Sequence, residues 1–176
     1  AARRQAGLWS DKAVREQMVE LIKKNAERLR LYNIRPVCAD ATVLRSENEG
    51  VMDAVLLDAP CSGLGVMMNK PDLKYRLKDE SIAELADIQR RLLDTCCRYV
   101  KAGGTLVYST CTLLSVENRD QVRAFLERHP EFELDEDPSW VPEKLLGRFE
   151  NGMMQLLAHR DRGFDGFFIA RMRRVK

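Results

Sequence analysis

Long apolar segments and transport signals are absent from this 176-residue sequence. No apolar run approaches the roughly 20 residues that cross a bilayer, and no signal peptide begins the chain. We therefore expect a cytoplasmic protein without a membrane partner. The two histidines, His129 and His159, lie far apart and no Cys-x-x-C pair occurs. We therefore expect neither a metal site nor a hydrolase that pairs a cysteine with a histidine base.

An excess of charge of one sign is also absent. Lys and Arg together number 29 and Asp and Glu 27, which gives a net charge of +2. This balance offers no electrostatic argument for nucleic-acid binding, and the locally basic stretches RMRRVK and NKPDLKYRLK add little. The five cysteines are odd in number and follow no pairing pattern, which is typical of a reduced intracellular protein rather than of a disulfide framework.

Length and composition are those of one folded domain. A chain of 176 residues can bury a sizeable core. Its hydrophobic content of 45% and its charged content of 32% are ordinary for a globular protein. No internal repeat or low-complexity segment divides the sequence, so we take residues 1–176 as a single domain.

Hydrophobic periodicity predicts alternating helices and strands. Apolar residues at helical spacing predict helices over residues 16–31, 80–101 and 116–129. Short apolar runs predict strands in IRPVCADATVL, MDAVLLDAP and TLVYST, the first ending near Asp40 and the second buried on both faces. MMQLLAH and GFFIARM predict an antiparallel pair, which an exposed acidic connection, EFELDEDPSW, precedes. The fold class is therefore α/β, a mostly parallel sheet with helices on both faces and a C-terminal antiparallel hairpin.

Side chains with useful chemistry follow three of the predicted strands. Asp40, Asp58 and Cys111 each stand at or just after the carboxyl end of a strand, where open α/β sheets bind ligands. A carboxylate there accepts hydrogen bonds from the amino or ring N–H groups of a ligand. The three positions are therefore candidates for one site, although their placement alone names no reaction.

The five cysteines fall into two groups. Cys38 lies in a predicted strand, and Cys96 and Cys97 lie in a predicted helix, so we expect all three to be small buried hydrophobes. Cys61 and Cys111 stand instead where strands pass into loops, a place where side chains are aimed at a cleft. From position alone these two are either structural or reactive. The stretch CSGLG around Cys61 lacks the G-x-x-x-x-G-K-[ST] pattern of a phosphate-binding loop.

Five stretches of the sequence together resemble the Sun (Fmu) family of S-adenosylmethionine-dependent RNA cytosine-5 methyltransferases. They occur in the family's order and cover nearly all of the chain from about residue 16 onward: DAPCSGLGV, NKPDLKYR, YSTCTL, VENRDQVRAFLERHPEFEL and GFDGFFIARM. The combination of DAPCSG with STCTL is specific to the family. The resemblance implies a Rossmann-like methyltransferase fold, S-adenosylmethionine as cofactor, and an RNA substrate, with ribosomal RNA ahead of transfer RNA.

The resemblance also implies roles for individual residues. Cys111, in the TC step, corresponds to the family's nucleophile. Cys61, in the PC step, is associated with release of the methylated product. Asp58 corresponds to a residue at the site of the cofactor and the target base, and Asp40 to one that contacts the adenosyl part of the cofactor.

The sequence departs from the family near its beginning. The glycine-rich motif D-x-C-A-A-P-G-G-K, which holds the methionine part of the cofactor, is absent. The acidic residue expected to bind the ribose falls at Ala13, with Asp11 nearby. We therefore expect an incomplete methyltransferase domain that lacks its first strand.

Two other functions are alternatives to RNA cytosine methylation. The first is a fragment that binds no cofactor and serves only as an RNA-binding or structural module. The second is an amino-group methyltransferase on the same fold. This second function fits less well, because its Asn/Asp-Pro-Pro-aromatic step is replaced here by Asp-Ala-Pro-Cys.

Overall fold

The protein consists of two compact units, Ala1–Asp40 and Ala41–Lys176. A computed structural model describes residues 12–71, 78–161 and 163–176. In the first unit, helix α1 spans Lys12–Arg28, which confirms the helix predicted in this region with both ends slightly earlier. None of the helices in the described ranges is long and apolar enough to cross a membrane.

The strand predicted to end near Asp40 is wrong. Residues 34–40 form no strand, and both Cys38 and Asp40 lie exposed. Pro36 sits inside this segment and has no backbone N–H to donate to a strand ladder. Cys38 is therefore not the buried hydrophobe that the sequence pattern predicts.

The second unit is built on a sheet with six strands in the residues described. The strands are β1 (Met52–Asp58), β2 (Val100–Thr110), β3 (Phe132–Leu134), β4 (Phe149–Glu150), β5 (Met153–Leu156) and β6 (Phe167–Arg174). Their order across the sheet is β1-β2-β6-β5-β4, and β3 pairs with β6 beside this path. The antiparallel pair β5–β6 confirms the hairpin predicted near the C-terminus.

Strand pairing in this sheet is mixed. β1 and β2 are parallel, whereas β6 runs antiparallel to β2, β3 and β5, and β4 runs antiparallel to β5. The α/β class is confirmed, but the sheet is not mostly parallel over the described strands. Parallel neighbours need a long crossover connection, and in the described ranges only helix α2 (Asp79–Cys96) joins two adjacent strands in this way.

The core of the second unit lies between the sheet and two helices. Helix α2 and helix α3 (Arg119–Arg128) pack on one face, where Leu93 and Phe125 are fully buried. Cys96 and Cys97 belong to the same core, as predicted.

Strand β1 contributes only one of its faces to this core. Leu57 is buried, but Leu56, which points the other way, is 70% exposed. The prediction that this strand is buried on both faces is therefore wrong. A continuous apolar run does not say by itself which of its two faces is covered.

The boundary between α2 and β2 differs from the predicted one. The helix ends at Cys96 and β2 begins at Val100, ahead of the glycines at 103 and 104. Val100 is fully buried and pairs with Met52 of β1. Pairing with β1 therefore starts the strand earlier than the glycines indicate.

Two further predictions differ from the structure, the start of helix α3 and the exposure of the acidic connection. Helix α3 begins at Arg119 rather than at residue 116, because Asn118 before it has a non-helical backbone, with φ −117° and ψ −102°. The stretch EFELDEDPSW is not exposed throughout, since its Phe132 is 5% exposed and begins β3.

His129, at the end of α3, is hydrogen-bonded to Asp94 of α2. Its Nε2 lies 3.0 Å from Oδ1 of Asp94, and its ring stacks on Phe125 with 4.6 Å between centroids. The Sγ of Cys97 is 3.7 Å from Nδ1 of His129, but burial raises the pKa of Cys97 to about 12. The cluster is therefore structural and not a cysteine–histidine nucleophile pair.

Candidate active site

The two cysteine loops leave neighbouring strands at the same edge of the sheet. Asp58 ends β1 and pairs with Ser109 of β2, so the loops that follow begin side by side. The pairing extends one step further, because the backbone N–H of Ala59 donates to the carbonyl oxygen of Ser109 at 2.9 Å. As a result, the Sγ atoms of Cys61 and Cys111 lie 3.4 Å apart. Both side chains are partly buried.

Two glycines allow the Cys61 loop to pack against the rest of the site. The N–H of Gly65 donates to the carbonyl oxygen of Cys111 at 2.9 Å, and the N–H of Gly166 donates to the carbonyl oxygen of Gly65 at 2.8 Å. A Cβ on Gly65 would lie 2.1 Å from the carbonyl oxygen of Gly166. The loop of DAPCSGLGV, the loop of STCTL and the turn before GFF therefore meet backbone to backbone.

The Cys111 loop is also held from the start of α3. The hydroxyl of Thr110 donates to Oδ1 of Asn118, and Nδ2 of Asn118 donates to the carbonyl oxygen of Thr112 at 3.0 Å. Asn118 is 1% exposed. Its side chain thus holds the residues on both sides of Cys111, at the end of β2.

Asp58 presents a carboxylate beside the two thiols. The hydroxyl of Ser109 donates to Oδ1 of Asp58 at 3.0 Å, which orients the carboxylate. Asp58 is exposed, so it remains accessible to a ligand bound at the ends of β1 and β2. Its negative charge acts on Cys111, where it opposes ionisation of the thiol.

The hydrogen bond between the two thiols makes them chemically unequal. The hydrogen bond with Cys61 lowers the pKa of Cys111 to about 7, against the effects of burial and of the Asp58 charge. The Cys111 backbone N–H and the charge of Lys70 lower the pKa of Cys111 further. The same hydrogen bond, with burial, raises the pKa of Cys61 well above its ordinary value. These opposite shifts favour Cys111 over Cys61 as the thiolate.

This inequality predicts the pH dependence of alkylation. Because the thiolate is the reacting form, the rate at which iodoacetamide labels Cys111 should rise with pH to half its maximum at about 7. Cys61→Ala removes the donor, so this midpoint should move up toward the ordinary cysteine value of about 8.5. Peptide mass spectrometry over a pH series measures the rate for each cysteine separately.

Cys61→Ser is the matched control for this experiment. The serine hydroxyl still donates a hydrogen bond, so the midpoint for Cys111 should stay closer to that of the unmodified protein than it does with alanine. Cys96 and Cys97 are internal controls, because burial raises their pKa values to about 11 and about 12. Labelling of Cys61 ahead of Cys111 at pH 7 would contradict the assignment of the thiolate.

The structure brings three of the four predicted site residues together. Cys61, Cys111 and Asp58 lie at the paired ends of β1 and β2. Asp40 belongs to the other unit, Ala1–Asp40, in a segment that forms no strand. Asp11, the candidate ribose ligand, lies outside the described residues.

The sequence pattern does not predict a group of buried polar side chains next to the two cysteine loops. Ser62, Thr112, Glu117 and Gln89 are each at most 4% exposed and are joined by hydrogen bonds. One signal was available, since Ser62 and Thr112 directly follow the two cysteines. Glu117 was read only as part of a helix.

The described residues offer no alternative metal chemistry at this edge. Within residues 12–71, 78–161 and 163–176, no group of three or more His, Cys, Asp or Glu side chains could hold a metal ion. The chemistry available from the site is that of a thiolate, a neighbouring thiol and a carboxylate.

Comparison with protein families identifies this arrangement. A family model described as 16S rRNA methyltransferase RsmB/F matches residues 8–173. The chain belongs to this family. The match contains both cysteine loops and Gly166, and it confirms the resemblance to the Sun family seen in the sequence.

Two relatives with curated names are longer than this chain. It is 45% identical over 159 residues to a probable ribosomal RNA small subunit methyltransferase B of Bacillus subtilis, covering 89% of this chain and 35% of the relative. It is 37% identical over 155 residues to ribosomal RNA small subunit methyltransferase B of Shewanella oneidensis, covering 88% of this chain and 34% of the relative. The chain therefore spans about a third of the length of these relatives.

Solved structures have the same fold over most of this chain. NSun6 from Pyrococcus horikoshii, crystallised with SFG, matches with a TM-score of 0.73 and 31% identity over 94% of this chain and 40% of that one. A methyltransferase homolog protein from the same organism matches with a TM-score of 0.69 and 26% identity over 90% of this chain and 50% of that one. These matches confirm a Rossmann-like α/β methyltransferase fold.

Proposed function

We propose that this chain carries the reactive centre of an enzyme that transfers a methyl group from S-adenosylmethionine to carbon 5 of a cytosine in small-subunit ribosomal RNA. One observation carries the proposal: the Sγ atoms of Cys61 and Cys111 lie 3.4 Å apart, at the ends of adjacent parallel strands. Membership of the RsmB/F family and relatives named as methyltransferases of the small ribosomal subunit support it.

Methylation at carbon 5 requires a nucleophile because this carbon does not take up a methyl group unaided. The thiolate of Cys111 adds to carbon 6, and the π electrons of the 5,6 double bond move onto carbon 5. S-adenosylmethionine would supply the methyl group to this electron pair, its methyl–sulfur bond breaking as the bond to carbon 5 forms and S-adenosylhomocysteine leaving. The lowered pKa of Cys111 supports the assignment, because the thiolate is available near neutral pH.

Product release requires a base close to carbon 5. After methylation, that carbon holds both the methyl group and a proton. Removal of the proton restores the double bond and expels the sulfur of Cys111 as a thiolate. Cys61 suits this step, directly or through one water molecule. The hydrogen bond that raises its pKa ends when the sulfur of Cys111 is bonded to carbon, so the Cys61 thiol can then lose its proton to water and accept the proton of carbon 5 as a thiolate.

Asp58 is assigned to the orientation of the target base. Its exposed carboxylate can accept hydrogen bonds from the exocyclic amino group of cytosine, while Ser109 holds one of its oxygens at 3.0 Å. A cytosine within a helix cannot place carbon 6 against a thiolate. The substrate must therefore be single-stranded or have the target base turned out of the stack.

The available acceptors fit S-adenosylmethionine in their chemistry. Asp58 offers a carboxylate at the edge of the sheet where such folds bind ligands. The match with NSun6, whose crystals held SFG, an analogue of S-adenosylmethionine, supports this cofactor. The glycine-rich motif is absent from the printed sequence, so the natural protein containing this chain is the proper object of any binding test.

The experiment that tests the proposed function is tritium release. We expect the natural protein containing this chain, given S-adenosylmethionine and small-subunit ribosomal RNA labelled with tritium at carbon 5 of cytosine, to release tritium into water as methyl groups are incorporated. Methylation at the amino group would incorporate methyl groups without release, and would overturn the assignment to carbon 5.

Two controls complete this experiment. Transfer RNA labelled in the same way should release less tritium, since both curated relatives are named for ribosomal RNA. A calorimetric titration with S-adenosylmethionine separates the enzyme from a structural module. A protein that binds the RNA but shows no affinity for S-adenosylmethionine would leave only the non-enzymatic function.

A further inference from the structure

Glu117 is a fully buried carboxylate behind the two cysteine loops. It is 0% exposed and stands just before α3. Burying a carboxylate is costly unless hydrogen bonds replace the water it loses. The partners of this side chain are therefore the feature to explain.

Among the described residues, the donors to its carboxylate come from one loop and one helix. Oε1 of Glu117 accepts from the backbone N–H of Ser62 at 2.9 Å and from Nε2 of Gln89 at 3.0 Å. Oε2 accepts from the hydroxyl of Ser62 at 2.5 Å. Both carboxylate oxygens thus hold the residue that directly follows Cys61.

The direction of these hydrogen bonds extends the network to the second loop. Because the hydroxyl of Ser62 donates to Glu117, it accepts from the hydroxyl of Thr112, which lies 2.7 Å away. Thr112 directly follows Cys111. A continuous chain of hydrogen bonds, from Thr112 through Ser62 to Glu117, therefore links the two cysteine loops, in addition to the backbone bond between Gly65 and Cys111.

The other side of Cys61 is held as well. Nε2 of Gln89 also donates to the carbonyl oxygen of Pro60 at 2.9 Å. Glu117 is itself anchored, because the hydroxyl of Tyr108 in β2 donates to its backbone carbonyl oxygen at 2.6 Å. Pro60 and Ser62, on either side of Cys61, are thus linked by hydrogen bonds to Gln89 and Glu117. Glu117 is in turn bound to Tyr108 of β2, the strand that leads to Cys111.

We propose that Glu117 is a positioning residue that sets the separation of the two thiols by clamping Ser62, and through it the Cys61 loop, against the Cys111 loop. Its effect on methyl transfer rests on the function proposed above. Its effect on the thiols themselves does not, and can be measured without RNA or cofactor.

Glu117→Gln tests the clamp with almost no change of volume. The amide keeps an acceptor oxygen for the N–H of Ser62, but its Nε2 is a donor and cannot accept from the Ser62 hydroxyl, so the charge-assisted hydrogen bond that holds this hydroxyl is lost. The Cys61 thiol then moves away from Cys111. We expect the pH midpoint for iodoacetamide labelling of Cys111 to rise by about one unit, which lowers its rate at pH 7 about fivefold. The rate at high pH should be unchanged.

The sign of this shift separates positioning from simple electrostatics. Removing a nearby negative charge would favour the thiolate and move the midpoint down. Loss of the hydrogen bond from Cys61 moves it up. A midpoint that falls or stays in place therefore overturns the proposal.

A matched control and a milder variant complete the test. Asp161 is another buried carboxylate that holds a loop, since it accepts from the backbone N–H of Leu157 and from Arg148. Asp161→Asn should leave the Cys111 midpoint unchanged.

If Glu117→Gln does not fold, Ser62→Ala removes the hydroxyl link alone and decides the question. An unshifted Cys111 midpoint in folded Ser62→Ala would also overturn the proposal.

The same two measurements keep this inference apart from the proposed function. A protein with no tritium release but with the upward shift in Glu117→Gln would lose the proposed reaction and keep the clamp. Tritium release without the shift would keep the reaction and lose the clamp.

Discussion

Replacing Cys111 by serine is expected to abolish methyl transfer and covalent trapping together. Serine cannot supply the thiolate that adds to carbon 6, and removal of a nucleophile from a covalent mechanism commonly lowers the rate by about 10³-fold or more. With RNA that contains 5-azacytidine, the unmodified protein should form an adduct that resists denaturation, because elimination is blocked. Cys111→Ser should form none. Denaturing gel electrophoresis with labelled RNA measures the adduct.

Replacing Cys61 by serine is expected to have the opposite effect on the adduct. The hydroxyl still donates to Cys111, but it cannot serve as a base at neutral pH. Release should slow by about 10²- to 10⁴-fold, the usual contribution of a general base. Adduct should therefore accumulate with ordinary cytosine RNA and S-adenosylmethionine. If Cys111→Ser still formed the adduct while Cys61→Ser did not, the two roles would have to be exchanged.

Replacing Gly65 by alanine is also expected to lower the rate of methyl transfer strongly. Its Cβ would lie 2.1 Å from the carbonyl oxygen of Gly166 and 2.8 Å from that of Cys111. Both obstacles are backbone atoms, so the Cys61 loop must move as a whole. A misplacement of about 1 Å commonly costs about 100-fold in rate. We expect tritium release to fall by at least that factor and the labelling midpoint of Cys111 to rise.

Gly147→Ala is the matched control for this substitution. Gly147 has no described atom within 4 Å of the place where its Cβ would stand, so its replacement should change stability by no more than about 0.5 kcal/mol. Thermal unfolding of both variants separates loss of the fold from loss of the loop contact. Normal activity in Gly65→Ala would mean that the backbone contact between the loops is dispensable.

Short motifs were informative because their residues act locally. Pro60 and the glycines after it predict the end of a strand, and β1 ends at Asp58 in the structure. In the same way, β2 ends at Thr110, just before Cys111. Cys96 and Cys97 follow the apolar face of a helix, so their burial was readable from helical spacing. Prediction was weaker for the segment that ends at Asp40, where an apolar run suggested a strand that the structure does not form.

Contacts between distant parts of the chain were not readable from the sequence. Leu56 and Leu57 are the same residue type at adjacent positions, yet one is 70% and the other 7% exposed. Only the placement of the helices decides which face of β1 is covered. In the same way, Glu117 belongs to a stretch with helical composition, but its donors come from residues 28 and 55 positions earlier in the chain.

By itself, the sequence determined the α/β class, the loop positions of Cys61 and Cys111, and the family, because these depend on residue types and on local spacing. The tertiary structure decided the surroundings of each thiol. The parallel pairing of β1 with β2 brings the Sγ atoms of two residues 50 positions apart to within 3.4 Å of each other. A pKa is a property of the surroundings of a group, and those surroundings exist only when the strands are paired.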